Sequence, residues 1–177
     1  VAIEAAKTIL TRRPELNFSL VFVGSSQSRE NHVARIMKKI SSYNLENNIC
    51  FCGHIADMPA VYSTADMVLS TSTEPEAFGR ISAEASSMMK PIISSNHGGS
   101  REIIENDITG WLVEPKNPNL LAEKILQVLD MPEVKKDQIG KNARRRVFEK
   151  FSLNEMLSKT FNVYEELIER SKKNSDY

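Results

Sequence analysis

The sequence predicts an α/β fold: a Rossmann-like, mostly parallel sheet covered by helices on both faces. Three observations predict it. Short apolar runs alternate with segments of helical period over residues 1–113. Each run ends in a glycine, a serine cluster or another turn signal. The joining segments are long enough for crossovers, which parallel strands need and hairpins do not supply.

Taken in order, residues 1–13 read as a helix with Ala2, Ala5, Ala6, Ile9 and Leu10 on one face, stopped by Pro14. Phe18-Ser-Leu-Val-Phe-Val23 and then Gly24 read as a buried strand entering a turn. Val33, Ile36, Met37 and Ile40 give the next helix its stripe, and Ile49-Cys-Phe-Cys52 with Gly53 a second strand. Met58, Val61, Tyr62 and Ala65 mark a short helix, and Met67-Val-Leu-Ser-Thr71 a third strand. Residues 78–89 are helical, Pro91-Ile-Ile-Ser-Ser95 is a fourth strand, residues 100–106 a short helix and Gly110-Trp-Leu-Val113 a fifth strand.

The remainder is helical. Asn117 is placed as an N-cap with Pro118 at the first helical position; Leu121, Ile125, Val128 and Leu129 form the stripe. Pro132 separates this helix from a basic one reaching about Lys150. Ser152-Leu-Asn-Glu155 is a capping box, with Phe151 and Met156 placed as its hydrophobic staple. The last helix is expected to fray over residues 171–177.

Composition narrows the function classes. Apolar residues make up 41% of the 177 and charged residues 26%, so the chain can bury a core. Lys+Arg and Asp+Glu both number 23, so no broad basic footprint for nucleic acid is expected. No apolar run is long enough to span a bilayer, and no secretory signal is expected, since the sequence opens in what reads as a helix. Cys50 and Cys52 are too few to staple the domain and fit a reducing, cytoplasmic compartment. Their alternation on one strand reads as a pair of inert core thiols. Neither HExxH nor Asp-x-Asp occurs, and His32, His54 and His97 share no element, so no metal site is expected. No GxGxxG follows a strand, which disfavours a dehydrogenase.

In such sheets ligands bind beyond the carboxyl ends of the strands. The turns to watch are therefore Gly24-Ser25-Ser26, Gly53-His54, residues 72–79, residues 96–99 and Glu114-Pro115. The densest is Thr73-Glu-Pro-Glu-Ala-Phe-Gly-Arg-Ile-Ser-Ala-Glu84-Ala. Glu76 lies in a loop after a strand. Phe78-Gly79-Arg80 opens a helix whose free N–H groups favour anions. Glu84 shares the apolar stripe of that helix, where a carboxylate needs a partner: a hydroxyl-rich ligand, a structural Arg or a neighbouring loop.

The ordered set Glu76-x7-Glu84 with Phe78-Gly79 between, Pro91-Ile-Ile-Ser-Ser95, Gly98-Gly99-Ser-Arg-Glu102 and Gly110-Trp-Leu-Val-Glu-Pro115 resembles family 4 of the retaining glycosyltransferases. Val21-Phe-Val-Gly24, Phe51-Cys-Gly53-His54 and Ala65-Asp-Met-Val68 are similar to the C-terminal, donor-binding domain of the same GT-B enzymes. The resemblance implies that residues 1–177 are one half of a GT-B enzyme, a nucleotide-sugar-binding domain whose N-terminal acceptor domain is not in this chain. It implies a sugar passed from a nucleotide-sugar to an acceptor hydroxyl with retention, without metal or cofactor.

It also implies roles. Glu76, the catalytic carboxylate of the set, contacts the donor sugar hydroxyls as a positioning group rather than a nucleophile. Backbone N–H groups of Phe78, Gly79 and Arg80 meet sugar and diphosphate. Glu84 accepts from the ribose 2′- and 3′-hydroxyls. Gly53-His54-Ile55 lies beside the nucleobase. Gly98 and Gly99 serve the turn or let a ligand approach the backbone; Glu102 is expected in a structural ion pair.

Family members carry a phosphate-clamping Arg and Lys on a segment that would precede Val1. Ala77 stands where many relatives have proline or glycine. Two alternatives remain from the sequence: a sugar-nucleotide 2-epimerase of the same fold, and a nucleotide-binding module without chemistry of its own. Lys135, Lys136, Lys141, Arg144, Arg145, Arg146 and Lys150 read as a solvated basic face, and secondarily as an attraction to an anionic membrane surface or a phosphorylated acceptor. In the order 3-2-1-4-5-6 the five strands match numbers two to six. Strands 18–23 and 67–71 should then flank an unfilled position about 9–10 Å wide. The 177 residues alone are expected to transfer no sugar.

Overall fold

The computed structural model describes residues 1–25 and 30–175. Its elements run α1 (Ala2–Arg12), β1 (Leu20–Val23), α2 (Glu30–Ser42), β2 (Ile49–Gly53), α3 (Met58–Thr64), β3 (Val68–Ser70) and α4 (Arg80–Ser87). They continue with β4 (Ile92–Ser95), α5 (Ser100–Ile103), β5 (Trp111–Val113), α6 (Pro118–Leu129), α7 (Glu133–Phe151) and α8 (Leu153–Ser175). All five expected strands form, each at or inside its predicted run. Ser26 of the first candidate turn lies outside the described residues.

Every strand pairing is parallel. Leu20 stands opposite Ile49 in the β1–β2 pair, Val68 opposite Ile92 in β3–β4, and Ile93 opposite Trp111 in β4–β5. The strands fall into two sheets, β1-β2 and β3-β4-β5, and no strand of the described residues joins β1 to β3. That is the break the expected strand order requires.

Helix α1 bridges the two sheets. Ala5 and Ile9 sit in the core of Ile93, Trp111, Val113, Leu121 and Val128, under α6. Ile3 and Ala6 sit in a second core with Ile40 and Leu45, against Leu20, Phe22 and Ile49. A third core, Tyr62, Ala85, Ile92, Ile103 and Ile104, lies on the opposite face of β4 under α3, α4 and α5. The β3–β5 sheet is thus covered on both faces, as parallel sheets are.

The expected cap of α6 forms: the Leu120 N–H donates to the Asn117 side chain at 3.1 Å, ahead of Pro118. Asp57 caps α3 in the same way, accepting from the Ala60 N–H at 3.1 Å. At α8 the Glu155 N–H donates to Ser152 Oγ at 3.3 Å. Of the two residues placed as the staple, Met156 is exposed and the Phe151 ring meets the Phe78 ring edge-on at 6.0 Å. The helix does not fray at Ser171; α8 runs to Ser175, and Asp176 and Tyr177 lie outside the described residues.

The cysteines correct a second expectation. Cys50 and Cys52 do share a face, with their sulfurs 3.8 Å apart, but both are exposed. From Cys50 onward β2 is exposed residue by residue, and among the described residues β1 is the strand that pairs with it. The contact with Cys50 raises the Cys52 thiol above its ordinary value, which lowers its thiolate fraction.

The basic helix is likewise only partly solvated. Arg146 in α7 donates from Nε to the Ile103 carbonyl and from Nη2 to the Glu102 carbonyl, both at 2.9 Å, and pairs with Glu105 at 3.3 Å. It therefore caps the C-terminal carbonyls of α5. The ion pair expected of Glu102 is made by Glu105 instead; the Glu102 side chain is exposed.

Candidate functional site

The turns after β3 and β4 are built as one piece, and glycine makes that fit. A Cβ on Gly99 would lie 2.2 Å from the Phe78 carbonyl oxygen. On Gly98 it would lie 2.4 Å from the Glu76 carbonyl oxygen, and on Gly79 3.1 Å from the Ser100 nitrogen. Gly98 and Gly79 also hold positive φ, +53° and +81°. The Gly99 N–H donates to the Glu76 carbonyl at 2.8 Å. The space freed by Gly98 and Gly99 is thus filled by the backbone of the Glu76–Phe78 loop. The turn reading holds at Gly98, whose φ is positive, and both glycines also leave room for the backbone of the neighbouring loop.

This interlock fixes Glu76 and the start of α4. Ser72 Oγ donates to Glu76 Oε1, holding the half-buried carboxylate beside the end of β3. The His97 Nε2–H donates to the Ser72 carbonyl at 3.0 Å, tying the second turn to the same residue. Lys116, after β5, reaches Glu74 at 3.0 Å. The turns after β3, β4 and β5 are therefore linked through side chains as well as backbone.

Gly79 is the N-cap of α4, and the first intrahelical donor is the Ala83 N–H, 3.2 Å from the Gly79 carbonyl. The N–H groups of Arg80, Ile81 and Ser82 precede it and carry the partial positive charge of a helix start. An anion placed there meets several donors at once. The Phe78 ring is 46% exposed and flanks this helix start.

Glu84 is half-buried, one turn into α4. Its Oε2 accepts from the Tyr62 hydroxyl at 2.8 Å, and its Oε1 lies 3.5 Å from Arg80 Nε. Burial, and then the hydrogen bond to Glu84, push the Tyr62 phenol well above its ordinary value, so it stays a donor at neutral pH. Gly53, His54 and Ile55 end the other sheet: Gly53 takes φ +67°, His54 is exposed and Ile55 half-buried. All the predicted residues thus stand at carboxyl ends of strands or on the helix that follows one.

Sequence reasoning placed Tyr62 only on an apolar stripe and Ser72 only in a turn. A tyrosine on a buried stripe needs a partner for its hydroxyl, and that signal was available. The Ser72 hydroxyl finds Glu76 within its own turn, whereas the contact of His97 with the Ser72 carbonyl depends on two turns meeting, which no local pattern encodes.

Comparison with known proteins bears on the family and the fold. Residues 1–146 match the family model Glycosyl transferases group 1. A glycosyltransferase from Rickettsia africae ESF-5 superposes with a TM-score of 0.85 at 36% identity, over 94% of this chain and 43% of that one. Anabaena Alr3699/HepE in complex with UDP-glucose gives 0.82 at 28% identity, over 92% and 44%. The C-terminal domain of a glycosyl transferase group 1 family protein (LpcC) from Francisella tularensis gives 0.74 at 28% identity, over 85% and 77%. The chain spans about 44% of the length of the first curated relatives it matches. With two parallel sheets and a family match over most of its length, the chain belongs to the glycosyl transferases group 1 family and forms one half of a GT-B architecture.

Proposed function

We propose that the chain is the donor-binding half of a retaining glycosyltransferase that uses a nucleoside diphosphate sugar. The observation that carries the reading is the joined turn pair after β3 and β4. It sets one carboxylate, Glu76, ahead of a helix start and a second, Glu84, one turn inside that helix. A nucleotide-sugar has the same order of groups: sugar hydroxyls, diphosphate, ribose hydroxyls. Carboxylates accept hydroxyl donors, and helix-start N–H groups receive phosphate. The complex of the Anabaena relative with UDP-glucose supports a uridine donor.

In the reaction the bond from the anomeric carbon to the diphosphate oxygen breaks. A bond from that carbon to the acceptor oxygen forms on the same face, and the acceptor hydroxyl proton leaves with the departing diphosphate. The α4 N–H groups stabilise the charge that develops on the leaving group. Glu76, held by Ser72 Oγ, orients the sugar; Glu84 orients the nucleoside. Gly53-His54-Ile55 borders the base. No metal or cofactor enters this scheme.

Titration of the chain with UDP, GDP and ADP tests the reading. UDP should bind most tightly, and Glu84→Ala should weaken it by about tenfold, the loss of charge-assisted bonds. In the whole enzyme Glu76→Gln should lower turnover by about tenfold or more while free UDP binds nearly as before. Failure of all three nucleotides to bind would refute the assignment.

A further inference from the structure

We propose that Tyr62 is a positioning residue of the donor site: its hydroxyl fixes the Glu84 carboxylate in the orientation that receives the ribose hydroxyls. The proposal rests on the assignment of Glu84 to ribose made above.

A glutamate on a helix is poorly fixed at its end. Its last torsion is broad, and only a partner sets the plane of the carboxylate. Arg80 is a weak partner, with its guanidinium 3.5 Å away and its side chain 85% exposed. Tyr62 is the opposite case. The ring is packed in the core with Ala85, Ile92, Ile103 and Ile104, so the hydroxyl is delivered by a rigid group. It donates to Oε2 at 2.8 Å. Two features anchor α3, which carries Tyr62: the Asp57 cap at its start, and Lys90 Nζ, which donates to the Ser63 carbonyl at 2.8 Å.

Tyr62 occupies one acceptor site of a carboxylate that offers about four. Enough remain for two ribose hydroxyls. Held in one plane, those lone pairs are presented without the rotamer entropy a free glutamate would lose on binding. The expected consequence is selectivity: the wild-type chain should favour a ribonucleotide over its 2′,3′-dideoxy analogue, and part of that preference should come from Tyr62.

The test is the ratio of dissociation constants for 2′,3′-dideoxy-UDP and UDP, measured on the wild-type chain, Tyr62→Phe, Glu84→Ala and the double variant. The ratio is taken within each variant, so a loss of folded protein cancels. Tyr62→Phe should shrink the ratio by about fivefold, the net worth of one hydrogen bond, while dideoxy binding stays within about twofold. Glu84→Ala should shrink it by about tenfold, and the double variant should match Glu84→Ala alone.

A Tyr62→Phe variant that keeps the wild-type ratio, or that weakens both nucleotides equally, overturns the proposal while the Glu84 assignment stands. If the Glu84→Ala ratio equals that of wild type, the ribose assignment falls and Tyr62 falls with it. A double variant whose losses add would show that Tyr62 acts on something other than Glu84.

Discussion

The two sheets invert what their compositions suggest. Strand β1 is Leu-Val-Phe-Val, wholly apolar, yet Val21 is 48% exposed; its neighbour β2 is exposed from Cys50 onward. Strand β4 is Ile-Ile-Ser-Ser, half hydroxyl, and all four residues are buried. The difference lies in what covers each strand. Ser94 Oγ lies 3.0 Å from both Ser82 Oγ and Ser100 Oγ, so the buried hydroxyls satisfy one another. Their small size lets α4 and α5 close over β4, which brings the turns after β3 and β4 into contact. In β1 and β2, Phe22 and Phe51 stack at 5.1 Å, but one face stays open. The interlocked candidate turns belong to the sheet whose neighbours are specified in detail; apolar content alone marks a strand and leaves its cover undecided.

The largest effect expected from this contrast is a pair of core truncations. Trp111→Ala removes a fully buried ring under α6 and should destabilise by about 3–5 kcal/mol. Phe51→Ala, on the open strand and 42% exposed, should cost less than about 1.5 kcal/mol. Urea unfolding of both variants measures the gap, and equal midpoints would erase the distinction between the sheets.

A glycine pair sharpens it. Gly99→Ala drives a methyl group onto the Phe78 carbonyl and should cost about 2–3 kcal/mol and weaken nucleotide binding. Gly53→Ala, with open space around it but φ at +67°, should cost only about 1–2 kcal/mol of backbone strain. Next, Arg146→Gln loses two bonds to the carbonyls that end α5 and should cost about 1–2 kcal/mol. Arg144→Gln on the same helix, exposed over Phe148, should stay within about 0.5 kcal/mol.

The smallest effect is electrostatic. The Lys39 ammonium, donating from α2 to α1, holds the Glu4 carboxyl below its ordinary 4.5. Because the folded value is the lower one, this stabilisation is present above pH 4.5 and is lost as pH falls through the folded value. Both groups are about one-third exposed, so it should stay below about 1 kcal/mol. Glu4→Gln should remove that part of the acid sensitivity, as urea midpoints at pH 7 and pH 4 would show.

Much of this was legible in sequence. The alternation placed all five strands and the helices between them because period and turn chemistry are local. The spacing of Glu76, Phe78-Gly79 and Glu84 was legible as a motif, and Asn117-Pro118 as a cap. The cover of a strand was not: Cys50 and Cys52 read as core because alternation marks a shared face but not what lies over it. Nor was the fate of Arg146, which looked like one more charge on a solvated helix. Its partners, the carbonyls of Glu102 and Ile103, are some forty residues away in sequence. The double glycine read as a turn or a ligand's approach; the positive φ of Gly98 fits the turn, while the demand for space set by the Glu76 and Phe78 backbone across the sheet edge lay outside any local pattern.

The claim that the donor meets the joined turns of the closed sheet is tested most directly by amide hydrogen exchange with and without UDP-glucose. Protection should rise in segments 72–84 and 96–101, and more weakly at 53–55. Exchange along the open face of β2, at Cys50–Cys52, and through α8 should not change. Protection confined to β2 or α8, with none at 78–82, would contradict the account.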